Sequence, residues 1–407
     1  MKILLLNQAF HPDVVSTAQH LSELAAELAR RGHRVTVVTG RNAYDDPKRI
    51  FPGRETWRGV RIFRVRSTRL GKQARWRRAA DFASFILSCC LRLAFLPRQD
   101  VVVALTTPPL ISFIGAWRAK LWRARFAYWV MDLNPDEAIA AGWLRADSFL
   151  GKMLERMSRF SFRRANSIIA LDRFMCDRIA AKGVAREKIS VIPPWSHDNE
   201  VRFDAAGREQ FRKTHGLDGK FVVMYSGNHS PVHPLDTLMQ AAEQAQDESI
   251  VFCFVGGGSE FKRVQRWAEA GKHTNILCLP YQPMAQLSAS LSAADAHLIV
   301  MGNAFVGLVH PCKIYNILTV GAPVIYIGPH PGHVPEILDR LGGGHSWCAV
   351  AHGEAGGLIR RIQDLQKRRA GDSRQCPAQI TAIFSKAVVL PQLIATLENP
   401  TTPVPDA

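Results

Sequence analysis

The sequence predicts an α/β fold made of two doubly wound, Rossmann-like domains. Three observations carry that prediction. Short apolar runs alternate with helical patterns along the whole chain, and Gly or Pro punctuates the junctions, as in βαβ units. With 407 residues and 47% hydrophobic content, the chain is long enough for two ordinary cores. The charge is also split: residues 1–197 hold 34 Lys+Arg and 16 Asp+Glu, whereas 198–407 hold 18 and 19. The excess in the first half points to an anionic partner there: membrane, lipid phosphate or nucleic acid.

Lys2 to Leu6 reads as a buried strand ending in Asn7-Gln8-Ala9-Phe10-His11-Pro12-Asp13. Ser16 or Thr17 caps a helix to Arg31, with Leu21, Leu24, Ala25 and Leu28 on one face. Gly32-His33 ends it, and Arg34 to Thr39 completes a right-handed βαβ unit. No GxGxxG follows the first strand, which argues against a nicotinamide dehydrogenase. Arg54 to Arg98 carries twelve basic and two acidic residues. Within it Arg75, Trp76, Arg77 and Arg78 run into an apolar helix, Ala79 to Leu96, that includes Phe82 and Phe85. Such a flank and helix form an interfacial signature, and no apolar run reaches the ~18 residues of a membrane span. The competing reading is a helix packed on the sheet beneath a basic loop.

Asp100 to Leu105 is a strand, and Pro109 opens a helix to about Trp122. Phe126 to Val130 is another strand, running into Met131-Asp132-Leu133-Asn134-Pro135-Asp136. Ligands of such sheets lie beyond the carboxyl ends of strands, which favours Asp132, Asn134 and Asp136 as site residues. Alternatively, Asp132 or Asp136 caps the next helix. Met153 to Ala165 is a basic amphipathic helix, Phe174 to Lys182 a helix, and Ile189 to Ile192 the last strand of this half. The domain boundary falls near Trp195, giving a first domain of 1–197 and a second of 198–384.

In the second half, Phe221 to Tyr225 is a strand followed by Ser226-Gly227-Asn228-His229, with His233 further on. Ile250 to Val255 leads to Gly256-Gly257-Gly258, where a base or phosphate can approach the backbone. Asn275 to Leu279 ends at Pro280-Tyr281. The stretch Gly307 to Gly328 organises this half: after the strand Ala296 to Met301 come a loop, Pro311 at a helix start, Lys313 in the first turn, Gly321 at its end, and the strand Val324 to Ile327. A cation and free N–H groups at a helix start suit a diphosphate; the plain alternative is a solvated lysine. A final helix spans 385–398 and a Pro/Thr tail 399–407.

Several of these motifs together resemble the large retaining glycosyltransferase family four, in its branch making bacterial surface polysaccharides of colanic-acid type. Pro311-Cys312-Lys313 and Gly321-Ala322-Pro323-Val324 are similar to its donor-site pattern. Phe10-x-Pro12-Asp13, Ser16-Thr17, Gly32-His33-x-Val35, Gly142-Trp143-Leu144 and Val191-Ile192-Pro193-Pro194-Trp195 resemble its first-domain motifs. Two departures stand out. Asn228 and His233 occupy the family's Arg and Lys positions, and Leu308 and Asn316 occupy its paired glutamates. The resemblance implies the GT-B fold, two Rossmann-like domains facing across a cleft. It implies a nucleotide-sugar donor, UDP-linked, held by Gly227, Asn228, His229, His233, Gly256, Gly257, Tyr281, Gly307, Pro311, Lys313 and Asn316. It places Phe10, Ser16, Thr17, Asn134 and Asp136 on the acceptor side, with Asp132 as a base or an orienter of the acceptor hydroxyl and Lys313 stabilising the departing diphosphate. The acceptor would be a polyprenyl diphosphate-linked glycan, and no metal or other cofactor is required.

The eight scattered cysteines, without CxxC, fit a reduced, cytosolic chain, and the basic flank fits a peripheral position on the inner face of the plasma membrane. Three alternatives remain open: a nucleotide-sugar 2-epimerase of the same fold, a non-catalytic donor-binding protein, and a basic nucleic-acid-binding protein. Against the last, the aromatics sit with apolar helices rather than interleaved on a strand face, so no nucleic-acid partner is expected.

Overall fold

The computed structural model describes residues 1–13, 15–43, 49–68, 70–71, 75–197, 200–271, 273–341, 346–368, 374 and 376–399. Val14, the side chain of Arg75 and nearly all of the expected tail lie outside them. The first unit spans Met1–Pro194 together with Gly307–His310 and the chain from Val389, and the second spans Trp195–Val306 and Pro311–Val388.

In chain order the first unit runs β1 (Lys2–Leu6), α1 (Ser16–Arg30), β2 (Arg34–Gly40), β3 (Arg54–Trp57), β4 (Val60–Val65), α2 (Arg75–Ala94), β5 (Val101–Ala104), α3 (Ile111–Trp122), β6 (Arg125–Trp129), α4 (Asp136–Ala140), α5 (Phe149–Arg164), β7 (Ser167–Ala170), α6 (Arg173–Ala181) and β8 (Ile189–Val191). The strands form one sheet in the order β3-β4-β2-β1-β5-β6-β7-β8. Leu4 lies opposite Thr36 on one side and Val102 on the other. Ile3 to Leu6 are wholly buried, as expected of a parallel strand covered on both faces.

Neither Ser16 nor Thr17 caps α1. The capping position is Val15, without a side-chain bond, and the Ser16 hydroxyl lies 3.3 Å from His20 Nδ1 instead. The basic segment from Arg54 does not begin as an interfacial stretch. β3 and β4 form an antiparallel hairpin whose turn, Arg58-Gly59, has φ of 46° and 79°. That is a two-residue turn with left-handed backbone at both positions, disguised here by an arginine where Asn is usual. The buried Arg64 donates to Glu55, to the Pro52 carbonyl and to the His11 carbonyl, tying the hairpin to the loop after β1.

The second unit runs α7 (Ala205–Thr214), β9 (Phe221–Asn228), α8 (Asp236–Gln244), β10 (Ile250–Gly257), α9 (Ser259–Gly271), β11 (Ile276–Leu279), α10 (Met284–Ser292), β12 (Ala296–Val300), α11 (Lys313–Thr319), β13 (Val324–Ile327), α12 (His333–Arg340), β14 (Trp347–Val350), α13 (Ala355–Lys367), α14 (Ala378–Phe384) and α15 (Lys386–Glu398). Its sheet is parallel, in the order β11-β10-β9-β12-β13-β14. Regular helix in α11 begins at Lys313, two residues later than Pro311. Beside the core sits a buried ion cluster. Asp295 pairs with Arg208 at 2.6 Å and Arg212 at 3.1 Å, and its Oδ2 accepts from the Val222 N–H. From Val389, α15 belongs to the first unit, where Glu398 bonds His33 Nε2 at 2.7 Å.

Candidate functional site

In the second unit the site forms where β9 and β10 end. Gly227 lies opposite Gly256 in register, with φ of 132° and 136°. A Cβ on Gly256 would stand 2.0 Å from the Gly227 carbonyl oxygen, so the strand ends approach this closely only without a side chain. A Cβ on Gly227 would meet Lys313 Cε at 3.3 Å and Nζ at 3.4 Å. Lys313 Nζ is buried with no hydrogen-bond partner among the described residues. It lies 3.6 Å from the centroid of the Tyr225 ring, a cation–π contact. Burial without a counter-charge lowers its pKa to about 7.

Two histidines complete this surround. His229 Nδ1 bonds the Gly227 carbonyl at 2.9 Å, and His233 Nδ1 bonds the Val300 carbonyl at 2.7 Å. A carbonyl only accepts, so each Nδ1 carries the hydrogen and each Nε2 is left as an acceptor. Burial first, then the nearby Lys313 charge, lowers both pKa values to about 3, so both rings are neutral. Asn228 accepts at its carbonyl from the Tyr225 hydroxyl at 3.0 Å. A Cβ on Gly257 would meet the Tyr281 ring at 2.9 Å, and that tyrosine is exposed. Asn316 Oδ1 accepts from the His197 N–H at 3.3 Å, and Pro311 is buried. The structure thus gathers Gly227, Asn228, His229, His233, Gly256 and Lys313, and adds Tyr225, which the sequence places only as the last residue of a strand. Its place just before Ser226-Gly227 was the available signal.

Gly307 does not join this group. With φ of 73° it packs on the Phe174 carbonyl in the first unit. The Leu308 carbonyl accepts from the Leu133 N–H at 2.8 Å, and Val309 bridges Asp132. His310 Nδ1 bonds Asp172 Oδ2 at 2.7 Å, and the other carboxylate oxygen of Asp172 caps α6.

The first unit places Asp132 and Asn134 in the loop after β6. Burial first, then the charge of Glu137, raises the Asp132 pKa to about 8. Glu137, unremarked in the sequence, is also raised by burial, against the pull of Arg78. Asn134 Nδ2 lies 3.4 Å from Glu137 Oε2. Asp136 is held by Lys182 at 2.8 Å, which also pairs with Glu155 at 2.9 Å, and Pro135 rather than either aspartate takes the capping position of α4. Phe10 is buried against Trp57, with centroids 6.3 Å apart, so its ring is not offered to an acceptor.

On α2, Phe85 is fully buried and Phe82 is half-buried under Arg78, so neither is the outward apolar contact expected of it. Trp76 (63% exposed), Leu87 (63%), Leu91 (59%) and, just past the helix, Phe95 (81%) are outward instead. A helix packed on a sheet buries one stripe, here Phe85, Cys89 and Leu93, and the sequence did not reveal which. No described helix is long and apolar enough to cross a membrane.

A Glycosyl transferase 4-like domain model matches residues 17–195, and a Glycosyl transferases group 1 model matches 207–369. WcaI of Escherichia coli K12, a glycosyl transferase named for colanic acid biosynthesis, is 26% identical over 338 residues, covering 80% of this chain and 83% of WcaI. Sucrose-phosphate synthase from Thermosynechococcus elongatus superposes with a TM-score of 0.73 at 14% identity, over 98% of both chains. Anabaena HepE, solved with UDP-glucose, gives 0.71 at 16% identity, over 98% of this chain and 99% of HepE. With two parallel-sheet Rossmann-like units of the GT-B type and both family domains in order, the chain belongs to glycosyltransferase family four and is a glycosyltransferase.

Proposed function

We propose that this enzyme moves a sugar from a UDP-linked donor to a polyprenyl diphosphate-linked glycan, with retention at the anomeric carbon and without a metal. The observation that carries the reading is the buried, unpartnered ammonium of Lys313 at the glycine-lined ends of β9 and β10. A cation left unpaired among neutral groups is poised for an anion, and a diphosphate leaving group supplies one. The HepE complex with UDP-glucose supports UDP as the nucleotide. A screen of radiolabelled nucleotide-sugars against membrane lipid extract tests this: label moving into the lipid phase from a UDP-sugar is expected. Free epimerised sugar, with no transfer, would overturn it in favour of the epimerase.

Asp132 acts on the acceptor hydroxyl as base or orienter. Its pKa of about 8 means the carboxylate fraction rises through neutral pH. Lys313, near 7, loses its charge over the same range. Since kcat/KM reports the free enzyme, the two groups predict a bell with its maximum between about pH 7 and 8. Asp132→Asn is expected to lower kcat and flatten the acid limb; an unchanged limb assigns it elsewhere.

The enzyme works peripherally on an anionic membrane face through α2. Trp76, Leu87 and Leu91 supply the apolar contact, and Arg77 and Arg78 the charge, at roughly 1 kcal/mol per cation near an anionic leaflet. In vesicle co-sedimentation, Arg77→Gln with Arg78→Gln is expected to cut binding to phosphatidylglycerol vesicles about tenfold or more. Equal sedimentation of variant and parent would remove this surface.

A further inference from the structure

We infer that the first unit contains a subsite for the apolar chain of the acceptor, a cavity bounded by α3, α4 and α5 next to the Asp132 loop. The inference rests on the lipid-linked acceptor reading above. The cavity has a volume of about 70 Å³ and is walled by Leu110, Phe113, Ala138, Leu154 and Met157. Asn134 and Pro135 form part of its rim, so a group held there lies two residues along the chain from Asp132.

The walls do not stop at the cavity. Residues four apart stack on one helix face. On α5, Leu154 and Met157 therefore continue into Leu150 and Met153, both exposed, with Phe149 beside them at 83% exposure. An apolar ridge thus runs from the cavity to the surface. A small substituent on a sugar would use the cavity alone; a chain uses the ridge as well. The surrounding charge suits a chain with an anionic head. Lys152 and Arg156 are exposed on the same helix, and Arg78 is near enough to draw down the pKa of Glu137. A polyprenyl diphosphate has that combination: a branched apolar body behind two phosphates.

One lining group separates this occupant from a polar one. The Thr106 hydroxyl is buried, lines the cavity and has no partner among the described residues. An acetamido group would bond it, and an isoprene unit would not.

The test compares two acceptors sharing one sugar diphosphate head, one carrying a long prenyl chain and one a propyl ester. Ala138→Phe and Met157→Trp fill the cavity. Each is expected to raise KM about tenfold or more for the prenyl acceptor and less than about twofold for the propyl one. Thr106→Val is expected to change neither. Equal losses with both acceptors, or a loss from Thr106→Val alone, would overturn the assignment. Should a filled variant fail to fold, a benzophenone-tagged prenyl diphosphate applied to the unaltered enzyme decides instead. Crosslinks within residues 149–158 support the subsite, and crosslinks only elsewhere refute it. Crosslinking there without transfer to any lipid acceptor would leave the subsite standing and sink the proposed reaction.

Discussion

Lys313→Met is expected to lose about 10²–10³-fold in kcat while raising the melting temperature. The two effects share one cause. The Nζ is sealed from water with no hydrogen-bond partner among the described residues, and the Tyr225 ring face lies against its charge. Ligand-free, the protein bears the cost of a buried ammonium, on the order of a few kcal/mol; methionine fills similar space without it. The sign follows from the pKa, which is lowered in the folded state to about 7 from 10.5. Between those values the unfolded chain binds more protons, so stability rises with pH there, and below about 7 the full penalty applies. The gain from Lys313→Met should therefore be largest at pH 6 and small near pH 10. Melting curves at both pH values check this, and no gain at pH 6 would mean the ammonium is not desolvated. Binding of UDP should weaken about tenfold per pH unit above 7, since the ligand selects the charged form. Titration calorimetry in buffers of different ionisation enthalpy would show the proton taken up.

Asp295→Ala should destabilise the second unit by about 3–5 kcal/mol, a drop of roughly 10 °C in melting temperature. Asp295 pairs with both Arg208 and Arg212, whose side chains are only 7% and 6% exposed. Removing it leaves buried guanidiniums facing each other, although the carbonyls of residues 292–294 still accept from Arg208. Burial pushes the Asp295 carboxyl up, but the Val222 N–H and both arginines outweigh it, and the net pKa is lowered. Its contribution is thus present above the ordinary carboxylate range and is lost as pH falls through the lowered value. Acid melts of parent and variant should converge at low pH. Replacing Asp295, Arg208 and Arg212 together with apolar residues should recover much of the loss. Failure of Asp295→Ala to shift the melt would mean the cluster is not a structural staple.

The sheets and their helices were legible because both faces of each sheet are covered. Continuous apolar runs such as Lys2–Leu6 and Ala296–Val300 then announce themselves without alternation. The β3–β4 hairpin was not, because its turn residues are atypical and its strands are rich in arginine. Lys313 was found from spacing to Pro311 and Gly321. Its desolvation was invisible, since that depends on Tyr225, His229 and His233, 80 or more residues away in sequence. Phe85 misled for a related reason: composition shows that a helix is apolar, but only packing decides which stripe faces in. Glu137 was passed over because a carboxylate in a helix is ordinarily solvated, and nothing local marks it as half-buried and close enough to raise the Asp132 pKa.

The chain enters the first unit three times: at residues 1–194, at 307–310 and again from 389. As the ribosome releases it, every strand of that first sheet emerges before the second unit is half made. The bridge to Asp132, the bond to Asp172 and the Glu398–His33 latch come only from later segments. The first unit is completed only by segments that follow most of the second, and a gene cut at the apparent boundary would encode it without its clasp.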